Sequence, residues 1–215
     1  FYISVIEING SHAHRFDSLI KKLGIPTLIV TDIDASEKIQ KEIRGKLKLV
    51  WNSSIPQINK KQKTNNDTIK YWLKIESIDK LIKLSFQQKN NICISYQTPI
   101  SVNWTNQKKE DELYEVYPYT FEDSLVFTNI KLFQRDEKMA KMGVITAFYN
   151  YLKKSTSLEE FHEKMFHCLE NQGNVKASFA TEILYVEEFE NIQAPSYIKE
   201  GLMWLQKCLN DKTHK

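Results

Sequence analysis

The chain has 215 residues, of which 41% are hydrophobic and 27% charged, enough to bury a core in one large domain or a domain with an appendage. Six glycines and five prolines are too few for a turn-dense sandwich, and the glycines stand too far apart for a dinucleotide fingerprint, a P-loop or a nucleophile elbow. The net charge of +3 says little, but eight Lys/Arg fall between Lys38 and Lys63 against one acid, Glu42, a density that suits phosphate contacts or a solvated loop.

Ile3–Ile8 alternates and then runs apolar, which predicts a strand. Phe16, Leu19, Ile20 and Leu23 form the stripe of an amphipathic helix over residues 14–23, with Gly24 placed to cap it and Pro26 to bar its continuation. Thr27–Thr31 reads as a buried strand, so a right-handed βαβ unit is the natural assignment, with Asp32 and Asp34 directly after it. Residues 38–64 read as loop plus a short helix, and Thr68–Leu84 as a helix capped by Asp67. Ile92–Tyr96 is a further strand, and Thr120 caps a helix that opens at Phe121. Helices are predicted at roughly 132–153, 158–171, 174–186 and 196–209, the last with Ile198, Leu202, Leu205 and Leu209 on one apolar face. His162 and His167, five apart, have the wrong spacing for a helical ligand pair and read as solvated. Cys93, Cys168 and Cys208 show no CxxC spacing and read as reduced cytosolic thiols, which predicts a cytoplasmic protein. No apolar run approaches the roughly 18 residues of a membrane span. The start FYISVIEI has neither an initiator Met nor the features of a signal peptide, and reads as the beginning of an excised piece.

The sharpest feature is Leu28-Ile29-Val30-Thr31-Asp32-Ile33-Asp34. Ligands of open parallel sheets sit outside the carboxyl ends of the strands. Two carboxylates at i and i+2 of an extended segment project to one side, as hard oxygen ligands for Mg²⁺ or Mn²⁺. The same acids could instead terminate the strand and cap the next helix, and spacing alone leaves both readings open. Two known families set a DxD at such a point. In haloacid-dehalogenase phosphatases the first Asp, here Asp32, is a nucleophile in a strand that usually opens the fold. In the TOPRIM fold of topoisomerases, primases and certain nucleases the DxD binds metal. A strand and helix ahead of Asp32 favour TOPRIM.

The succession VIEING, LGIPTLIVTDIDAS, TNNDTIKYWL, ISYQTPI, YTFEDSLVFTN, NVKASFATEIL and APSYIKEGLMWLQKCL resembles the C-terminal TOPRIM region of the OLD (overcoming lysogenization defect) family of nucleases, which includes the nuclease subunit of Gabija anti-phage systems. The resemblance implies an α/β fold, a TOPRIM-type parallel sheet flanked by helices with a helical C-terminal portion. It places a nuclease core over residues 1–130 and a helical part of the same catalytic region over 131–215. It implies divalent-metal-dependent DNA cleavage, with two cations of Mg²⁺ or Mn²⁺, and matches Asp32, Asp34 and Glu122 to the family's metal-binding acids. Asp123 is the alternative if the register shifts by one. Lys176 matches the basic residue that acts at the scissile phosphate. The family's leading Glu lies upstream of the VIEING strand, so the first carboxylate ligand is expected outside this chain, and the isolated chain is expected to cleave poorly. An N-terminal ABC-type ATPase region absent from this chain, self-association and a helicase-like accessory protein are the partners implied. Lys60, Lys61, Lys63 and Lys70 are the candidate contacts to DNA. The competing readings are a non-catalytic TOPRIM module for DNA binding or assembly, and a phosphatase using Asp32.

Overall fold

The structure, a computed structural model, describes residues 2–8, 11–84, 87–105, 111–135, 143–171, 173–185 and 191–211. Two compact units divide the chain, Phe1–Thr98 with Ser196–Lys215, and Pro99–Pro195. These units are drawn along different lines from the functional division expected at residue 130.

In the first unit, residues 2–8 carry no regular secondary structure, so the expected strand at Ile3–Ile8 does not form. A strand needs a hydrogen-bonded neighbour. These residues have none among the described segments, and Val5 is 92% exposed. The helix expected next is present as a 3-10 turn, Ala13–Phe16, running into α1 (Asp17–Leu23). Gly24, with φ of 61°, ends it by donating its N–H to the Ile20 carbonyl. The strand β1 (Thr27–Val30) pairs in parallel with Ile92–Ser95, from Thr27 opposite Ile92 to Val30 opposite Ser95.

The basic segment departs from the expected loop and helix. It forms a long antiparallel hairpin of β2 (Ala35–Ile43) and β3 (Lys46–Ser53), with β4 (Lys63–Thr64) on the other side of β2. β3 opens with the alternation Lys46-Leu47-Lys48-Leu49, and Arg44-Gly45, both at positive φ, make the two-residue turn that favours a hairpin. The helix expected over Thr68–Leu84 is two helices, α2 (Asp67–Leu73) and α3 (Ile78–Ile82), because Lys74 adopts a left-handed conformation after the first. Asn66, not Asp67, is the N-cap, its side chain accepting from the Ile69 N–H at 3.1 Å. Then come β5 (Gln87–Lys89) and β6 (Ile92–Ser95), which complete a sheet ordered β1-β6-β5. β6 is buried along its whole length.

The C-terminal helix Ser196–Asp211 packs on this sheet through Tyr197, Gly201 and Trp204, whereas the expected face had included Leu202, which is 53% exposed. The reason is close approach. A Cβ on Gly201 would meet Leu28 Cδ1 at 2.7 Å, and the Ser95 hydroxyl donates to the Tyr197 carbonyl.

The second unit holds a hairpin, β7 (Ile100–Thr105) and β8 (Asp111–Val116), followed by α4 (Phe121–Thr128) with Thr120 at its cap, as expected. The helices α5 (Ile130–Arg135), α6 (Gly143–Lys154), α7 (Leu158–Asn171) and α8 (Val175–Ile183) complete it; residues 136–142 of the helix expected at 132–153 lie outside the described residues. Its core is aromatic: Phe161 stacks against Trp104 and meets Phe127 edge-on, and Phe148 packs on Phe179. The mixed α/β architecture, with a parallel-containing sheet flanked by helices, is the TOPRIM-type class expected.

Candidate functional site

β1 ends at Val30, and Asp32 and Asp34 lie in the irregular segment 31–34 that joins it to β2. Asp34 has φ of 49°, a left-handed conformation that Asp tolerates better than most residues. Both acids are half-buried. Gln97, 2% exposed, clamps this segment with both ends of its amide. Its Oε1 accepts from the Ile33 N–H at 2.7 Å, and its Nε2 donates to Asp32 Oδ1 at 2.5 Å. The second clamp is the run Thr64-Asn65-Asn66. Asn66 Nδ2 donates to Thr31 Oγ1 and the Asp32 carbonyl at 2.7 Å each, and lies 3.2 Å from Asp34 Oδ2. Thr64 Oγ1 donates to the Ile33 carbonyl at 2.6 Å, and the Asn65 N–H to the Asp34 carbonyl at 2.8 Å. Asn66 and Thr64 are themselves buried, so these bonds form away from water, where an unmade one is costly. The segment is over-determined by its neighbours.

Two carboxylates so held are hard oxygen donors of the type Mg²⁺ and Mn²⁺ prefer, and the donor chemistry fits such a cation. Among the described residues, no three His, Cys, Asp or Glu side chains gather into a fuller ligand set. Asp32 and Asp34 are thus two half-buried carboxylates two residues apart, each held from a neighbouring segment. The Cys93 thiol, on β6 opposite Leu28, is inert: burial pushes it up to about 12, and none of the three cysteines is in a disulfide.

The second unit carries the other expected residues. Glu122, on the first turn of α4, is 8% exposed, and its Oε2 is buried without a hydrogen-bond partner. Its neighbour Asp123 is engaged within the unit. It accepts from the Tyr119 and Thr120 N–H groups at 2.7 and 2.8 Å and lies 3.0 Å from His162 Nε2. His162 is thus buried, against the expectation of a solvated ring, because Asp123 and the edge-on Phe127 enclose it. Lys176, half-buried, is the second residue of α8, whose Val175, Phe179 and Ile183 are buried.

Of the candidate DNA contacts, Lys60 and Lys61 are exposed. Lys63 pairs with Glu76 at 2.7 Å and lies over the Trp51 ring, and Lys70 pairs with Asp67 at 2.6 Å one helical turn away. No helix among the described residues is long and apolar enough to cross a membrane.

The family model for the TOPRIM domain of overcoming lysogenization defect protein-like proteins matches residues 1–34, a stretch that closes on Asp32 and Asp34. The chain is also 29% identical over 212 residues to Endonuclease GajA of Bacillus cereus (strain HuB5-5). These findings agree on an OLD-like, Gabija-nuclease-like TOPRIM region. The likeness to GajA covers 97% of this chain, and the chain spans 28% of that relative's length. No solved structure matches the chain significantly.

Within this OLD-like TOPRIM region, sequence reasoning singled out the acids but missed the residues that hold them. Thr64, Asn65, Asn66 and Gln97 sit in TNNDTIKYWL and ISYQTPI, stretches quoted above for their resemblance alone. The available signal was compositional: short amides and hydroxyls beside buried apolar runs must find partners within the fold.

Proposed function

We propose that the protein is a divalent-metal-dependent DNA endonuclease, the nuclease part of an OLD-family ATPase-nuclease. The observation that carries this reading is the pair Asp32 and Asp34 at the carboxyl end of a parallel strand, fixed by buried amides. When bound, Mg²⁺ or Mn²⁺ supplies Lewis acidity at the phosphodiester and a water of lowered pKa. Asp32 and Asp34 hold the cation, and Gln97 and Asn66 keep their carboxylates in one orientation. Glu122, rather than the engaged Asp123, is assigned as a further metal-holding acid on the resemblance, and its unpartnered buried oxygen supports that choice. Lys176 places positive charge on the phosphate as negative charge develops in the transition state. Lys60 and Lys61, with Lys63 and Lys70 behind their ion pairs, supply affinity for the DNA backbone.

The resemblance further supports two cations per site, an ABC-type ATPase region in the whole protein, self-association, a helicase-like accessory partner and a cytoplasmic role in anti-phage defence. Incubation of supercoiled plasmid with the full-length protein, which includes the upstream region expected to supply the first carboxylate, tests the reading. Nicking or linearisation in Mg²⁺ or Mn²⁺, stopped by EDTA, is the expected result. A protein that binds plasmid yet leaves it supercoiled in both metals would be a DNA-binding module. An acyl-phosphate trapped on Asp32 would place it among the phosphatases.

A further inference from the structure

Every residue from Gln40 to Leu49 is exposed, so the distal part of the β2–β3 hairpin projects from its unit as an arm. Strand alternation and register sort its side chains onto two faces. Lys38, Gln40 and Glu42 share one face with their cross-strand partners Trp51, Leu49 and Leu47. The other face sets Lys41 directly opposite Lys48, and Ile43 opposite Lys46, with Arg44 at the tip. Like charges directly opposite one another destabilise a bare hairpin. The nearest acid, Glu42, is on the wrong face, and among the described residues Lys41, Arg44, Lys46 and Lys48 make no recorded ion pair. Three lysines on one face of an unpacked ribbon, with Arg44 at its tip, are stabilised by a partner with regularly spaced negative charge.

We propose that the basic face of this arm binds the backbone of duplex DNA, with Lys41, Lys46 and Lys48 on phosphates and Arg44 leading at the tip. A two-stranded ribbon is narrow enough for the major groove. A membrane would instead take the face bearing Leu47, Leu49 and Trp51, which turns the lysines away from anionic headgroups. The inference rests on the nuclease reading and moves the main contact from Lys60, Lys61, Lys63 and Lys70, of which Lys63 is paired with Glu76 and Lys70 with Asp67, onto the hairpin, where the lysines lie on one face at strand spacing.

The test is anisotropy of a labelled duplex with the whole protein, titrated between about 50 and 200 mM salt. In K41Q/K46Q/K48Q the log–log salt slope should fall by about 2–3 units, equally on two unrelated sequences. K41R/K46R/K48R should restore it. An unchanged slope in a folded Gln variant overturns the proposal, as does a loss that Arg does not restore. Loss of binding to phosphatidylserine vesicles with DNA binding intact also overturns it. If the unsubstituted protein neither binds duplex nor cuts plasmid, the nuclease reading falls with it; if it does both while the slope ignores the arm, only the arm proposal falls.

Discussion

Asp32 is held at one carboxylate oxygen by the Gln97 amide, and the same amide takes the Ile33 N–H, so a single buried side chain sets both the acid and the backbone beside it. Groups that orient metal ligands typically matter about 10–100-fold in metal affinity. Gln97→Leu, which keeps the approximate volume and removes both bonds, should therefore weaken Mn²⁺ binding by about that factor in calorimetry. A folded Gln97→Leu protein with undiminished affinity would make Gln97 a packing residue only. The acids themselves were legible, because DxD after an apolar strand is a local pattern. Their supports were not, because Gln97 lies 65 residues from Asp32 and Asn66 lies 34 away, and nothing in either segment states its partner. His162 was misread for the same reason: its spacing from His167 says nothing of Asp123, 39 residues earlier.

Elements announced by their ends were the readable ones. Gly24 closes α1 and Thr120 opens α4 as the residue types require. The β2–β3 hairpin was hidden by its composition: three polar residues separate successive apolar ones along β2, so only Lys46–Leu49 and the Arg44-Gly45 turn mark it. The join between α1 and α2 was equally silent. There Asp17, 6% exposed, accepts from Lys21, from the Tyr71 hydroxyl and from Trp72 Nε1. The hydrogen bond from the Lys21 ammonium is the main cause that lowers the Asp17 pKa below its ordinary 3.8, with Tyr71 and Trp72 adding to it. A depressed carboxylate pKa gives stability that is present above the unfolded value and lost as pH falls through the folded one. Asp17→Ala also leaves the Tyr71 and Trp72 donors unpaired. It should cost about 1–3 kcal/mol near neutral pH, measured by urea unfolding. The gap to the unsubstituted protein should narrow once the pH drops below about 4. A gap that is constant with pH would show that the Asp17 charge contributes nothing.

For the whole molecule, the α/β class and the helical last third were legible, whereas the partition into compact units was not. The C-terminal helix rejoins the first unit through Gly201 on Leu28 and Tyr197 on Ser95, contacts about 170 and 100 residues long in sequence that no local pattern encodes. The central claim is that Asp32 and Asp34 make this fold a metal-dependent nuclease. The most direct measurement is the single-turnover rate of DNA cleavage by Asp32→Asn beside the unsubstituted protein at saturating Mn²⁺. Asn keeps the shape and the Gln97 contact but removes the negative charge a cation needs. A loss of about 10²–10³-fold or more, with the unfolding midpoint and duplex affinity retained, is the predicted result. A folded Asp32→Asn protein that cleaves at the unsubstituted rate would contradict the account.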